Sequence, residues 1–218
     1  MSKKKIPGLP DFHIGNIFCI GRNYAEHARE LKNEVPDQPL VFLKPTSSII
    51  YDGQSISLPS QSSDVQHEVE LVACIGKSGK DIGSENALEY VAGYGIGIDV
   101  TARDIQQKAK EKGHPWSIAK GFDTFAPLGN FVDADEIGDP QNLDLSISVN
   151  GEQRQSDNTR LMLFPVAELV SYLSTIFNLR PGDLIFTGTP KGVSRIASGD
   201  IIEADLDNGR SHLKISVA

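Results

Sequence analysis

Two acids, Glu68 and Glu70, stand one residue apart inside an otherwise apolar, β-branched stretch covering residues 66–75. That composition favours a strand. On a strand the two side chains share a face, with α-carbons roughly 6.5–7 Å apart, so both carboxylates can reach one hard divalent cation. On a helix they would diverge by about 200° and could not. Paired acids in apolar surroundings repel each other and are costly to desolvate unless a cation compensates them. A solvated strand face would hold the same pair with no cation at all. His67 points to the opposite face and is expected to be packed or supporting rather than a ligand. Leu71 stands where a zinc protease would need its second histidine, so that motif is absent.

A third acid lies further on. Residues 92–99 alternate glycine with larger side chains, and Asp99 falls in phase with Gly93, Gly95 and Gly97. A strand bare on one face is weak unless something approaches its backbone closely, so Asp99 is expected at the end of that cleared face. Glu68, Glu70 and Asp99 together form an all-carboxylate set, which suits Mg²⁺, with Mn²⁺ or Ca²⁺ as substitutes, rather than zinc. His27 and Glu30 are three apart on a predicted helix, the spacing of a general-base dyad and equally of an exposed ion pair. Arg22, Lys44 and Lys120 lie near strand ends or glycine-flanked loops, where they could hold an anionic substrate or simply be solvated. Thr189, in a Gly-Thr-Pro turn, serves either as a substrate contact or as a turn residue.

Strand patterns over 16–21, 40–44, 66–75, 92–99, 143–149 and 184–187 supply the frame for these groups. Asp52-Gly53 reads as a hairpin turn between 49–51 and 55–58; Asn150-Gly151 and Asn208-Gly209 read as two more. Helices are predicted over 24–31, opened by an Asn23/Glu26 capping box; over 85–90, capped by Ser84; over 102–112, opened by a Thr101/Asp104 box; and over about 166–177 behind Pro165. The 102–112 helix carries Arg103 and Gln106 near its start, and 117–129 reads as a loop holding Lys120. The expectation is an α+β, strand-rich domain over 16–218 behind an irregular leader at 1–15.

A chain of 218 residues can bury a sizeable core, and 39% hydrophobic with 23% charged residues is ordinary for a globular protein. The net charge of −8, with no dense basic stripe beyond the first five residues, argues against nucleic acid. Lys3-Lys4-Lys5 precedes no apolar core of a secretory signal, and no run is long enough to span a membrane. Cys19 and Cys74, each inside an apolar strand, are expected as buried free thiols, with the cytoplasm as the default location.

Taken together, several ordered stretches resemble the fumarylacetoacetate hydrolase family, in its short acylpyruvase and oxaloacetate decarboxylase branch. They are residues 19–30, Phe42-Leu43-Lys44-Pro45, His67-Glu68-Val69-Glu70-Leu71, residues 97–106, Ala119-Lys120-Gly121-Phe122-Asp123, and the run from Pro181 through Thr187-Gly188-Thr189-Pro190-Lys191-Gly192-Val193. The resemblance implies a rolled, mixed β-sheet like that family's C-terminal domain, short peripheral helices and a homodimer. It makes Glu68, Glu70 and Asp99 the Mg²⁺ ligands, and His27 with Glu30 the water-activating dyad on a lid helix. Lys120 and Gln106 become substrate-polarising groups, while Arg22, Lys44, Arg103 and Thr189 line the pocket. The activity implied is hydrolysis of a carbon–carbon bond in a 2,4-dioxo acid (an acylpyruvate), with pyruvate leaving as an enolate. Oxaloacetate decarboxylation or tautomerisation, and isomerisation of unsaturated 2-oxo diacids, could use the same site. A metal-dependent protein that binds 2-oxo acids without turnover is the non-enzymatic alternative, and the dyad argues against it.

Overall fold

The computed structural model describes residues 4–30 and 34–218. Its larger sheet has seven strands in the order Leu40–Lys44, Ile17–Gly21, Leu184–Phe186, Val69–Ile75, Val91–Ile98, Ala126–Asp133 and Ile49–Tyr51. Two of the pairings are parallel, Leu184–Phe186 with Ile17–Gly21 and Ile49–Tyr51 with Ala126–Asp133, and the rest antiparallel. A second sheet of five strands runs Glu152–Asn158, Asp144–Val149, Ile201–Leu206, Ser211–Val217 and Ser55–Ile56. The result is a strand-rich α+β fold with a curled mixed sheet and a few short helices.

The central strand Val69–Ile75 is buried along its whole length, so both of its faces are covered. Period-two alternation sorts its residues between two cores. Val69, Leu71, Ala73 and Ile75 join Leu145, Ile147, Ile202 and Leu213 from the second sheet. Val72 and Cys74 pack on the other face with Cys19, Leu128, Phe131 and Phe186. Each large aliphatic side chain removed from water contributes roughly 1.5–3 kcal/mol, which makes this strand the firmest place for charged groups to be anchored. Both cysteines are free and buried.

The two acids survive a break in the strand that was expected to carry them continuously. Val65–His67 belongs to a separate three-stranded sheet, with Thr101–Ala102 and Ser194–Arg195 on either side, and the chain changes sheets at Glu68. Across the next strand Val69 pairs with Ile98 and Glu70 with Gly97, while Asp99 N donates to Glu68 O at 2.8 Å. Glu68, Glu70, Gly97 and Asp99 therefore share one side of the ladder. Gly97 is bare because Phe186 and Val72 close over it; a Cβ there would sit 2.7 Å from atoms of both side chains.

Several local expectations are corrected. Within residues 1–15, a two-stranded antiparallel sheet, Lys5–Ile6 with Leu9–His13, replaces the irregular leader and adds Ile6 and Leu9 to the second core. Asp52-Gly53 joins strands of different sheets, because Ile49–Tyr51 pairs with Ala126–Asp133 and Ser55–Ile56 with Ser211–Val217. Neither capping box forms. Asn23 is buried and bonds instead to Phe164 and Thr187, Glu26 pairs with Lys191, Thr101 Oγ1 donates to Asp99 O, and Asp104 accepts from Ser62 and Ser63. Helix Ala25–Glu30 forms as predicted up to Glu30, and the expected end at Leu31 lies outside the described residues. The 117–129 loop is instead the short helix Ser117–Lys120 followed by the start of the Ala126–Asp133 strand. Asn150-Gly151 does turn the Asp144–Val149/Glu152–Asn158 hairpin, with φ of 53° and 79°.

Candidate metal centre and active site

Carboxylate oxygens of Glu68, Glu70 and Asp99, one from each, lie within 4.8 Å of one another, and all three residues are buried. Lysines from two other elements close the centre. Lys120, ending helix Ser117–Lys120, places Nζ 2.8 Å from Glu68 Oε2 and 2.6 Å from Asp99 Oδ2. Lys44, ending strand Leu40–Lys44, places Nζ 2.7 Å from Asp99 Oδ1. Its hydrogen bonds run instead to the carbonyls of Val100, Lys120 and Phe125. Asp99 Oδ1 is thus buried beside a positive charge yet accepts no hydrogen bond. An orphaned buried carboxylate oxygen, in a set of three acids with no histidine or thiolate, is the donor pattern of a hard divalent cation, and the residues fit one.

The three acids do not titrate alike. Burial alone would raise Glu68, but Lys120 and Arg103 hold it well below the usual carboxylate range. Glu70 goes the other way: burial, then Asp99 and Glu68, push it well above that range, and its one protein partner of note is Gly188 N, donating to Oε2 at 2.8 Å. Glu70 is therefore the acid most in need of added positive charge. Burial would lower Lys120, and the two carboxylates it touches raise it instead.

A small recess opens over these acids and is also lined by Arg22, His27, Arg103, Gln106, Lys120 and Thr189. Arg103 is held by Glu68 Oε1, by Gln66 Oε1 at 2.9 Å and by Gln106 Oε1, which accepts from Nη1 at 2.6 Å. That fixes the amide of Gln106 and leaves its NH₂ as the free donor. His27, 5% exposed, has Nδ1 3.5 Å from Glu30 Oε2, and burial lowers its pKa despite the nearby Glu68. It is neutral at physiological pH. Both Glu30 oxygens accept from Gly192 N, at 3.1 and 3.2 Å.

Lys44 is placed differently from the other expected pocket residues, and Thr189 is in the lining with its hydroxyl already engaged. Lys44 is fully buried behind Asp99 and does not line the recess. Thr189 lines it, but its hydroxyl donates to Val69 O at 2.8 Å and accepts from Gln155 Nε2 at 2.9 Å. Gln155, unmarked by any motif, also accepts from Val69 N and binds His67 Nδ1 at 2.9 Å, while Ser194 Oγ lies 2.8 Å from His67 Nε2. His67 is thereby packed as expected, with burial lowering its pKa. Phe42, Lys110 and Trp116 also line the recess; Phe42 lies in one of the family-like stretches, whereas Lys110 and Trp116 carry no signature in the sequence.

This architecture has close relatives. The family description fumarylacetoacetate (FAA) hydrolase C-terminal matches residues 16–215. The mitochondrial oxaloacetate decarboxylase of Dictyostelium discoideum is 48% identical over 191 residues, spanning 87% of this chain and 88% of the relative. The mitochondrial oxaloacetate tautomerase of Mus musculus is 45% identical over 192 residues, spanning 88% and 87% respectively. Fumarylpyruvate hydrolase from Pseudomonas aeruginosa, solved in complex with Mn²⁺ and pyruvate, superposes with a TM-score of 0.93 at 41% identity, covering 100% of this chain and 95% of that one. Enzymes acting on small organic acids thus surround this chain, and it belongs to the fumarylacetoacetate hydrolase family.

Proposed function

We propose that this chain hydrolyses the C3–C4 bond of short 2,4-dioxo acids, releasing pyruvate and a carboxylic acid. The observation that carries this reading is the placement of His27, backed by Glu30, in the same recess as the three acids. Glu68, Glu70 and Asp99 would hold Mg²⁺, with Mn²⁺ or Ca²⁺ as substitutes, and the ion would supply Lewis-acid polarisation and a template for the substrate's carboxylate and 2-oxo group. Mn²⁺ in the Pseudomonas relative supports a divalent ion at such a site.

His27 Nδ1 faces Glu30, so Nε2 is the atom that takes a proton from water as its oxygen adds to C4. Glu30 stabilises the imidazolium that results. Lys120 and the free NH₂ of Gln106 donate to the oxyanion that develops at C4. Collapse breaks C3–C4, the acyl carbon leaves as a carboxylic acid, and the electron pair remains on pyruvate as its enolate. His27 then returns the proton from Nε2 to C3. Arg22 and Arg103 orient the anionic substrate in this reading, Thr189 contributes to the wall of the recess, and Lys44 holds Asp99 from behind. The working protein would be a cytoplasmic homodimer with no nucleic-acid or membrane partner. The net charge of −8 weighs against a nucleic-acid partner, and no helix among the described residues is long and apolar enough to cross a membrane.

A second reading, oxaloacetate decarboxylation or tautomerisation, is favoured by the names of the Dictyostelium and mouse relatives. It needs the acids but no activated water. Purified protein incubated with Mg²⁺ and acetylpyruvate separates the two when loss of enol absorbance and release of pyruvate are followed together. Mg²⁺-dependent pyruvate release is expected. Steady turnover of oxaloacetate with no pyruvate from any acylpyruvate would overturn the hydrolase reading in favour of the second.

A further inference from the structure

Gln155 lies on strand Glu152–Asn158 of the second sheet, 1% exposed, and uses all four hydrogen-bonding positions of its amide. Oε1 accepts from Val69 N at 3.1 Å and faces His67 Nδ1 at 2.9 Å. Nε2 donates to Thr189 Oγ1 at 2.9 Å and to Pro190 O at 2.8 Å. The amide has one orientation, because Val69 N can only donate and Pro190 O can only accept. His67 Nδ1 therefore carries the proton, and its Nε2 accepts from Ser194 Oγ. Thr189 Oγ1 in turn donates to Val69 O. Val69, which separates Glu68 from Glu70, is thus clasped to residues 189–190 through both its N–H and its carbonyl.

We propose that Gln155 is a positioning residue: it holds 189–192 against the acid strand, so that Gly192 N meets Glu30 and His27 faces the acids. Before this segment, Thr187 N and Oγ1 both donate to Leu71 O; after it, Ser194 pairs with His67. Between those ties Gly188 N reaches Glu70 and Gly192 N reaches Glu30. Glycines at φ 99° and 96° give the segment little stiffness of its own. Gly192 rests directly on the strand that carries Gln155, since a Cβ there would lie 2.2 Å from Arg154 O and 3.3 Å from Gln155 Cγ. The Gly192 end of the tie to Glu30 is therefore set from the core, by a side chain that makes no hydrogen bond to His27 or to the three acids among the described residues. Only a carboxamide supplies two acceptors to one strand and two donors to the other segment. The catalytic consequence rests on reading His27 and Glu30 as the proton-transfer pair; the placement of 189–192 does not.

Gln155→Met is close in shape and makes none of the four bonds, whereas Gln155→Glu, when ionised, keeps the acceptors and loses both donors. Amide hydrogen exchange in Gln155→Met, followed by mass spectrometry, should accelerate roughly 10- to 100-fold in peptides 24–30 and 188–193, as two lost hydrogen bonds imply. Peptide 91–98 should keep its wild-type rate. With Mg²⁺ and acetylpyruvate, kcat should fall by about 10²-fold and KM stay within about threefold, the mark of a displaced reacting group. In a Glu30→Ala background the same substitution should lower kcat by less than about threefold, because the link it acts through is already gone. Equal acceleration in every peptide, or none in 24–30, overturns the proposal, as does an undiminished fall in kcat in the Glu30→Ala background. If Gln155→Met does not fold, Gln155→Glu takes its place under the same criteria. Failure of both to fold makes Gln155 a core residue only and also overturns the proposal. If the wild-type protein releases no pyruvate from acetylpyruvate, the hydrolase reading fails, and hydrogen exchange alone decides whether Gln155 places the segment.

Discussion

The acid cradle and the histidine arm meet in one recess but are held there by different means. Glu68, Glu70 and Asp99 are 4%, 1% and 1% exposed and sit on or beside the two central strands, where the ladder fixes their backbones and Lys44, Lys120, Arg103 and Gly188 fix their oxygens. His27 rides on the six-residue helix Ala25–Glu30. That helix is tied to the 188–192 segment by Gly192 N to Glu30 and by a 2.6 Å ion pair between Glu26 and Lys191, both more than half exposed. The His27–Glu30 separation of 3.5 Å is itself long for a hydrogen bond. A cation site needs ligands preset in a low-dielectric interior. A proton-transfer group needs only to close on substrate, and such contacts commonly tighten in the complex. The fold commits its core to the first task and leaves the second to surface ties.

The sharpest way to break the contrast is at the cradle. Glu70→Gln preserves shape and the Gly188 contact but removes the charge. Calorimetric Mg²⁺ affinity should fall by more than the roughly 10- to 100-fold that loss of an outer-shell partner typically costs. Unchanged affinity would remove Glu70 from the metal site.

His27→Gln should do the opposite: hydrolysis drops by about 10²–10⁴, while Mg²⁺ affinity stays within about twofold. Loss of Mg²⁺ binding in that variant would merge the two regions into one. The arm also predicts a pH profile. The neutral imidazole is the base, and burial lowers its pKa from the ordinary 6.5. Neutral His27 therefore persists to lower pH, and kcat/KM should decline only as pH falls through a value below 6.5, with no loss from this group above it. An acid limb at or above 6.5 that vanishes in His27→Gln would contradict the burial argument.

These regions were also unequally legible in the sequence. The cradle could be read because period two is a rigid rule: Glu68 and Glu70 share a face, and Asp99 follows glycines in the same phase. That reading survived even though the strand breaks at Glu68, because Asp99 N to Glu68 O continues the ladder across the break. Capping signals failed where tertiary partners outbid local ones, Asn23 being claimed by Phe164 and Thr187 and Asp104 by Ser62 and Ser63. Asp52-Gly53 marked a turn correctly, yet a turn signal says nothing about which sheet each flank will join. Gln155 was silent for a deeper reason: it gains its role from His67, Val69 and Thr189, all distant in sequence, and no spacing rule reaches that far.

The smallest effects should come from the arm's own ties, and their ranking tests whether it is loosely held. Gly192 has φ 96°, and a Cβ there would lie 2.2 Å from Arg154 O, so Gly192→Ala must move the backbone whose N–H faces Glu30. A loss of about 1–2 kcal/mol is expected, seen as a melting-temperature drop of about 2–8 °C, with kcat falling further than Mg²⁺ affinity. Lys191→Ala removes only the exposed partner of Glu26. Such pairs are weak in high dielectric and cost side-chain entropy to hold, so the melting temperature should change by about 2 °C or less. If the arm closes on substrate through this contact, KM rises by about threefold or less and the rise fades in high salt, since an exposed pair is screened. A large, salt-insensitive fall in kcat from Lys191→Ala would mean that the arm is as rigidly preset as the acids it faces.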